Sequence, residues 1–280
     1  MDKNVAILII FFNKLSQTIE CIESFLPSKQ KIYILNNASE ENSWRKLQLK
    51  FKNIPSVFFF NSEENLGPAR GRNLLIGKTT EDWIFLVDND IRIKQKNNWK
   101  EIFDQEISIK PEASIFCPSL FNLHENAYSK PHEFVKVENK VTMQESANVI
   151  TNYFPCCGAI VRKDIFKEYG LLDEKLFAFE DYEFAIRALC SSLGQLTVYP
   201  LPQIELIHDH QFQKNAIDKK TIRERYDENK IKESMDRVMA KHDIVFDHDW
   251  EWWTKKQIND MTKNPFMKKM KGHLKKALGR

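Results

Sequence analysis

Apolar residues along the first hundred positions fall into alternating short runs and helical stripes. Ile7 to Phe12 is a continuous β-rich run and predicts a first buried strand. Leu15, Ile19, Ile22 and Leu26 then recur at three- and four-residue intervals, as one face of a helix requires. Lys31 to Leu35 predicts a second strand, and Trp44, Leu47 and Phe51 a second helix. Val57 to Phe60 and Trp83 to Val87 predict two more strands. Between them Pro68 to Gly77 reads as a short helix with proline in its first turn and glycine near its end. Such alternation predicts a parallel sheet covered by helices, in which ligands gather at the carboxyl ends of the strands.

From about Ile109 to Met143 the pattern loses its regularity, and Pro111, Pro118 and Pro131 favour loops or short antiparallel strands. Cys157 to Val161 predicts a buried strand, Lys163 to Tyr169 a short helix and Asp181 to Ser191 a longer one. Leu196 to Tyr199 and Ile204 to Ile207 read as two short β segments on either side of Pro200 and Pro202. After Phe212, the residues Ile217, Ile222, Tyr226, Ile231, Met235, Val238 and Met239 recur every three to five positions in a charged background, predicting a surface helix or helical appendage.

Composition adds that the chain is globular: of 280 residues 42% are apolar and 29% charged, enough to build a sizeable core without disulfides. The longest apolar run, Val5 to Phe12, is too short to cross a bilayer as a helix. With Asp2 before it and Asn13 and Lys14 after it, it also lacks the surroundings of a signal peptide. The cysteines, Cys21, Cys117, Cys156, Cys157 and Cys190, are odd in number and contain no C-x-x-C, so a reducing cytoplasm is the simplest location. A net charge of +3 is too small to argue for nucleic acid.

The charge is nevertheless unevenly spread. Residues 241–280 hold ten Lys/Arg against five Asp/Glu, which leaves 32 basic and 34 acidic residues in the first 240. Residues 263–280 carry seven Lys/Arg and no Asp/Glu, with Phe266, Met267, Met270, Leu274, Ala277 and Leu278 at helical intervals. This segment reads as an interfacial helix for an anionic membrane surface, which would hold the chain peripherally on the inner face of the cell membrane. A solvated charge run is the alternative. Trp250, Trp252 and Trp253 suit packing or an oligomer contact as well as an interface, and a homo-oligomer stays open.

The most informative chemistry lies in Trp83-Ile84-Phe85-Leu86-Val87-Asp88-Asn89-Asp90. Five apolar residues run into two carboxylates two positions apart, which extended backbone would place on one side. Converging carboxylates at a strand end suit Mg²⁺ or Mn²⁺, though the pair could equally open a turn. Upstream, Asn65-Leu66-Gly67-Pro68-Ala69-Arg70-Gly71-Arg72-Asn73 enters a helix with two glycines and two arginines, suited to close backbone approach and anion contact.

With the opening I-L-I-I-F-F-N and the I-L-N-N-A-S turn at Ile34 to Ser39, these segments resemble the nucleotide-binding half of GT-A-fold glycosyltransferases of the family-2 type. F-P-C-C-G-A-I-V-R-K-D-I-F-K-E-Y-G-L-L-D-E from Phe154 to Glu174 and F-A-F-E-D-Y-E-F-A-I-R from Phe177 to Arg187 are similar to that family's acceptor side. The six blocks keep the family's order over roughly residues 5 to 212. The resemblance implies an α/β, GT-A (Rossmann-like) fold: a mixed, mostly parallel sheet flanked by helices. It divides the chain into a catalytic domain at 1–212, with a nucleotide-binding half at 1–108 and an acceptor-binding half at 109–212. Residues 213–280 then form a helical C-terminal extension with a basic amphipathic tail.

The activity implied is metal-dependent, inverting transfer of a sugar from a nucleoside diphosphate sugar, a UDP-sugar favoured, to a glycan or lipid-linked acceptor in cell-surface polysaccharide synthesis. Asp90 and Asp88 would hold Mn²⁺ or Mg²⁺, with His208 as third ligand and His210 as the second choice. Asp181 would be the base and Glu180 would hold acceptor or metal-bound groups. Acidic residues at a helix start are also favoured by capping alone. Donor binding would fall to Asn13, Asn36, Asn65, Gly67, Arg72, Asp88, Asn89 and Gly158. Asn36 stands where relatives usually carry Asp as a nucleobase contact, which loosens the preference for uridine. Cys156 and Cys157 read as small residues lining the pocket, and Asp173 and Glu174 as turn residues. The competing readings are a catalytically decayed carbohydrate- or nucleotide-binding scaffold and a D-x-D phosphotransferase. Against the latter, the motif lies on the fourth strand rather than the first and continues Ile91-Arg92.

Overall fold

The computed structural model describes residues 4–209 and 227–246. Strand β1 (Val5–Phe11), helix α1 (Leu15–Phe25), β2 (Ile32–Asn37), α2 (Glu41–Phe51), β3 (Val57–Ser62), α3 (Gly67–Lys78) and β4 (Trp83–Asp88) follow the alternation expected from the sequence. The order β3-β2-β1-β4 is parallel throughout, with Ile9 opposite Ile34 on one side and Val87 on the other. Buried on both faces, β1, β2 and β4 must be apolar at nearly every position. Gly71 lets α3 lie close on the sheet: a Cβ there would meet Ile10 Cδ1 at 2.9 Å.

A short β5 (Ile91–Ile93) and α4 (Trp99–Ile109) come next. Helix α4 is not among the elements expected from the sequence, because its charged residues hide a stripe of only Trp99, Phe103 and Ile107. The second half adds β6 (Ile115–Asn122), β7 (Ala127–Tyr128), β8 (His132–Val137), β9 (Lys140–Glu145), β10 (Gly158–Arg162), α5 (Ile165–Glu168), α6 (Glu180–Cys190) and β11 (Val198–His208). Strand β10 joins β4 antiparallel, β6, β11 and β5 follow, and β7 on β6 completes the mixed sheet.

Strand β11 corrects the expectation of two segments split by Pro200 and Pro202. It is one strand with a register shift between Leu201 and Glu205, and β5 pairs only with Leu206 to His208. The prolines thus lie outside the β5-paired stretch, where a missing N–H costs no ladder bond to that neighbour.

Each sheet face has its own core. Val5, Ile7, Ile9 and Phe11 pack with α1, α2 and α4 on one face. Ala6, Leu8, Ile84 and Leu86 pack with α3 and α6 on the other, where a helix near the C-terminus, α7 (Glu228–His242), also belongs. Ile231, Met235 and Val238 of α7 are buried there, and β12 (Val245–Phe246) pairs with β9 in a small second sheet with β8. The described residues after 212 therefore share the core on the α3 and α6 face of the sheet. His210, Ile217, Ile222, Tyr226, the three tryptophans at 250, 252 and 253 and the basic segment 263–280 lie outside the described residues. Among the described residues no helix is long and apolar enough to cross a membrane.

Candidate active site

Strand β4 ends at Asp88, and Asn89 and Asp90 form the turn into β5. The two carboxylates therefore converge through a turn, not along the extended backbone the spacing suggested. The turn is fastened from behind: Asn89 Nδ2 donates to the Asn13 carbonyl at 3.2 Å and to Thr18 Oγ1 at 2.9 Å. The pairing of β11 with β5 sets His208 opposite Ile91, and its Nε2 lies 3.1 Å from Asp90 Oδ1. One ligand atom each from Asp88, Asp90 and His208 lies within 4.8 Å of the others. Two carboxylate oxygens and an imidazole nitrogen are a donor set that fits Mn²⁺ or Mg²⁺.

Two basic residues already reach this cluster. Lys14 Nζ stands 2.8 Å from Asp90 Oδ2, with both side chains buried. It is delivered by Asn13 and Lys14, consecutive residues with left-handed backbone at φ 57° and 52°. Sequence reasoning missed Lys14, since nothing in its spacing marks such a turn.

Arg72, in the second turn of α3, is the other. Its Nη2 donates to Asp88 Oδ1 at 2.7 Å and its Nη1 makes a short hydrogen bond to Glu180 Oε1. A planar fork with separate donors is suited to hold two carboxylates from different elements. Burial by itself would ease the guanidinium's proton off, but Glu180 and Asp88 outweigh it and keep Arg72 charged. The arginine thus ties the end of β4 to the start of α6.

Helix α6 begins without a side-chain cap, after Phe179 in the left-handed region at φ 66°. Glu180, Asp181 and Glu183 occupy its first turn, where the helix dipole favours negative charge. Asp181 Oδ2 accepts from Tyr153 Oη at 2.9 Å, and its Oδ1 accepts from the Tyr182 N–H at 2.9 Å. Burial, then the adjacent Glu180, push the Asp181 carboxyl up to about 7, against the downward pull of Tyr153, Arg72 and the Tyr182 N–H. Tyr153 was also missed by sequence reasoning, because it lies in a stretch without periodicity.

The remaining expected donor residues line the carboxyl edge of β1 to β3. Asn36 Nδ2 donates to Asn61 Oδ1 at 2.7 Å and its Oδ1 accepts from the Ser39 N–H at 3.0 Å, so both ends of that amide help shape the edge. Asn13 Oδ1 accepts from the Glu40 N–H at 3.2 Å, and Asn65 Oδ1 from Asn37 Nδ2 and the Gly67 N–H, both at 2.9 Å. Gly67 has φ +72° with nothing within 4 Å of a Cβ, so it is needed for its backbone conformation. Gly158 pairs with Val87 beside the site, and a Cβ there would strike Leu206 Cδ1 at 2.8 Å. Asn89 and Gly158 thus have structural duties as well as their place beside the site.

Cys156 and Cys157 are free, and burial pushes both thiols well up, which removes them as nucleophiles. Asp173 does more than turn the chain: Arg237 and Lys241 of α7 bind its carboxylate at 2.9 Å.

A family model described as glycosyl transferase family 2 matches residues 6–170. An uncharacterized protein of Haemophilus influenzae is 26% identical over 180 residues, covering 61% of this chain and 94% of the relative. Among solved structures, TarS of S. aureus superposes with a TM-score of 0.55 at 15% identity, covering 85% of this chain and 72% of TarS. TarS has also been crystallised with UDP and with UDP-GlcNAc. GalNAc-T7, crystallised with UDP, GalNAc and Mn²⁺, superposes with a TM-score of 0.57 at 13% identity, covering 93% of this chain and 57% of GalNAc-T7. At such identities the structural likeness carries the GT-A-like fold.

Proposed function

The chain belongs to glycosyl transferase family 2, enzymes that transfer from nucleotide sugars, and on that premise we propose an inverting, metal-dependent transfer from a UDP-sugar to a hydroxyl of a glycan or lipid-linked acceptor. The observation that carries it is the Arg72 fork. It joins the carboxylate expected at the donor to the one expected at the acceptor, so both lie within reach of one guanidinium. A single displacement needs that proximity, because base and leaving group must act on one carbon at the same moment.

Asp88, Asp90 and His208 would hold Mn²⁺ or Mg²⁺, which when bound supplies charge stabilisation for the departing diphosphate. Arg72 holds Asp88 and Glu180 in register. The edge formed by Asn13, Asn36, Asn65 and Gly67 would receive the nucleoside. Asp181 takes the proton of the acceptor hydroxyl, and a carboxyl at about 7 is divided between its two forms near neutral pH, as a general base should be. UDP is favoured because it occupies TarS and GalNAc-T7. Cell-surface polysaccharide synthesis and a cytoplasmic, membrane-peripheral location complete the reading.

Calorimetry with UDP, with and without MnCl₂, and hydrolysis of a panel of nucleotide sugars test it. Binding should require the metal. Asp90→Ala should abolish both turnover and the gain in UDP binding that MnCl₂ brings, whereas Asp181→Asn should cut turnover by at least ~10²-fold and leave UDP affinity intact. Metal-independent UDP binding, or wild-type turnover in Asp181→Asn, contradicts the assignment.

A further inference from the structure

We propose that Tyr153 is a positioning residue for the transfer, orienting the Asp181 carboxylate and holding it ready to accept a proton. The role rests on Asp181 acting as the base.

Tyr153 is fixed before it reaches Asp181. The preceding residue, Asn152, exchanges two hydrogen bonds with the backbone of Phe134 on β8, each 2.8 Å. The Tyr153 ring then packs edge-on against Phe134 at 5.5 Å and Tyr182 at 5.4 Å between centroids. Its hydroxyl therefore arrives in one place, 2.9 Å from Asp181 Oδ2. With the Tyr182 N–H on Oδ1, each carboxylate oxygen has one fixed donor and keeps a lone pair for an incoming hydroxyl. Burial pushes the Tyr153 phenol well up, followed by the Asp181 charge, so it stays protonated and donates.

The groups facing Asp181 come from three segments: Glu180 and Tyr182 from α6, Arg72 from α3, and Tyr153, Cys156 and Cys157 from the segment before β10. Burial and Glu180 favour the protonated acid, while Tyr153, Arg72 and the Tyr182 N–H favour the carboxylate. Arg72 is committed to Asp88 and Glu180, which leaves Tyr153 as the side chain hydrogen-bonded to the base. In the step, the acceptor oxygen bonds to the anomeric carbon, its proton passes to Asp181, and the bond to the diphosphate breaks with the electron pair leaving on oxygen. Tyr153 keeps its own proton throughout. Without its donation the carboxylate is less favoured, and the base is protonated over more of the neutral range.

Tyr153→Phe retains the ring and removes only the hydroxyl. The test is hydrolysis of UDP-N-acetylglucosamine, or of whichever panel sugar the wild type turns over, from pH 5.5 to 9.5, with UDP affinity in MnCl₂ measured alongside. The acid limb of kcat should move up by about one pH unit, so that kcat at pH 7 falls roughly fivefold and recovers by about pH 9. UDP affinity should stay within about twofold. An unmoved limb, an equal loss at every pH, or a matching loss of UDP affinity makes Tyr153 a packing residue and overturns the proposal. If Asp181→Asn is inactive and the Tyr153→Phe limb does not move, only this role fails. If Asp181→Asn retains turnover, or the wild type turns over none of the panel, the base assignment fails and this role with it.

Discussion

At Asp181 the chain keeps a carboxyl in surroundings that disfavour its charge. Folding raises it from 3.8 to about 7, so between those values the folded chain binds the proton more tightly than the unfolded chain does. The resulting stabilisation is full below about pH 4 and is lost as pH rises through about 7. At pH 8 the ionised group is a liability to stability. Asp181→Asn should therefore be more stable than wild type at pH 8 by about 1–2 kcal/mol, a figure discounted for the partial exposure of the residue. Urea midpoints at pH 8 and pH 4 check this, since the advantage should vanish at the lower pH. Equal midpoints at pH 8 would mean that the carboxylate is well solvated there.

Helix α7 reaches α6 and the loop that leads into it. Ser234 Oγ accepts from the Phe177 N–H at 2.9 Å and the Ala178 N–H at 3.3 Å, just before the uncapped start of α6. Lys241 and His242 bind Glu183 Oε1 at 2.8 and 2.9 Å, and Arg237 and Lys241 bind Asp173. Burial alone would raise the Asp173 carboxyl, but Lys241, Arg237 and the Lys175 N–H hold it at about 2. That stability is present above the unfolded value near 4 and is lost as pH falls toward 2. Asp173→Asn should cost about 2 kcal/mol at pH 7 in urea unfolding, with the gap to wild type narrowing below about pH 4. A gap of constant size across that range would assign the cost to packing rather than charge. The periodicity of Ile231, Met235 and Val238 made the helix legible. Its docking was not, because the partners Asp173 and Glu183 lie more than fifty residues away along the chain.

For the whole molecule, the two sheet faces carry separate cores, and the site forms at the edge where β4 ends and the neighbouring α6 begins. Residues 263–280 lie outside the described residues, and their proposed role on an anionic membrane is tested directly. Deleting them should weaken binding to phosphatidylserine-containing liposomes by roughly tenfold or more, with little change in turnover of a water-soluble acceptor. Unchanged liposome binding removes the membrane role.

The pattern Val5 to Phe11 and Trp83 to Val87 determined the buried parallel strands, because a strand covered on both faces must be apolar throughout. The D-N-D and E-D motifs likewise determined which carboxylates are candidates, since residue type and element ends are local properties. What the tertiary structure decided is which of them meet. Arg72 bridging Asp88 to Glu180, Lys14 turning onto Asp90 through two left-handed residues, His208 brought beside Asp90 by β11, and Tyr153 resting on Asp181 all join segments far apart in the chain. Hydrophobic periodicity records how each segment is covered, but distances between side chains on different segments depend on register, helix placement and backbone turns that exist only once the chain has folded.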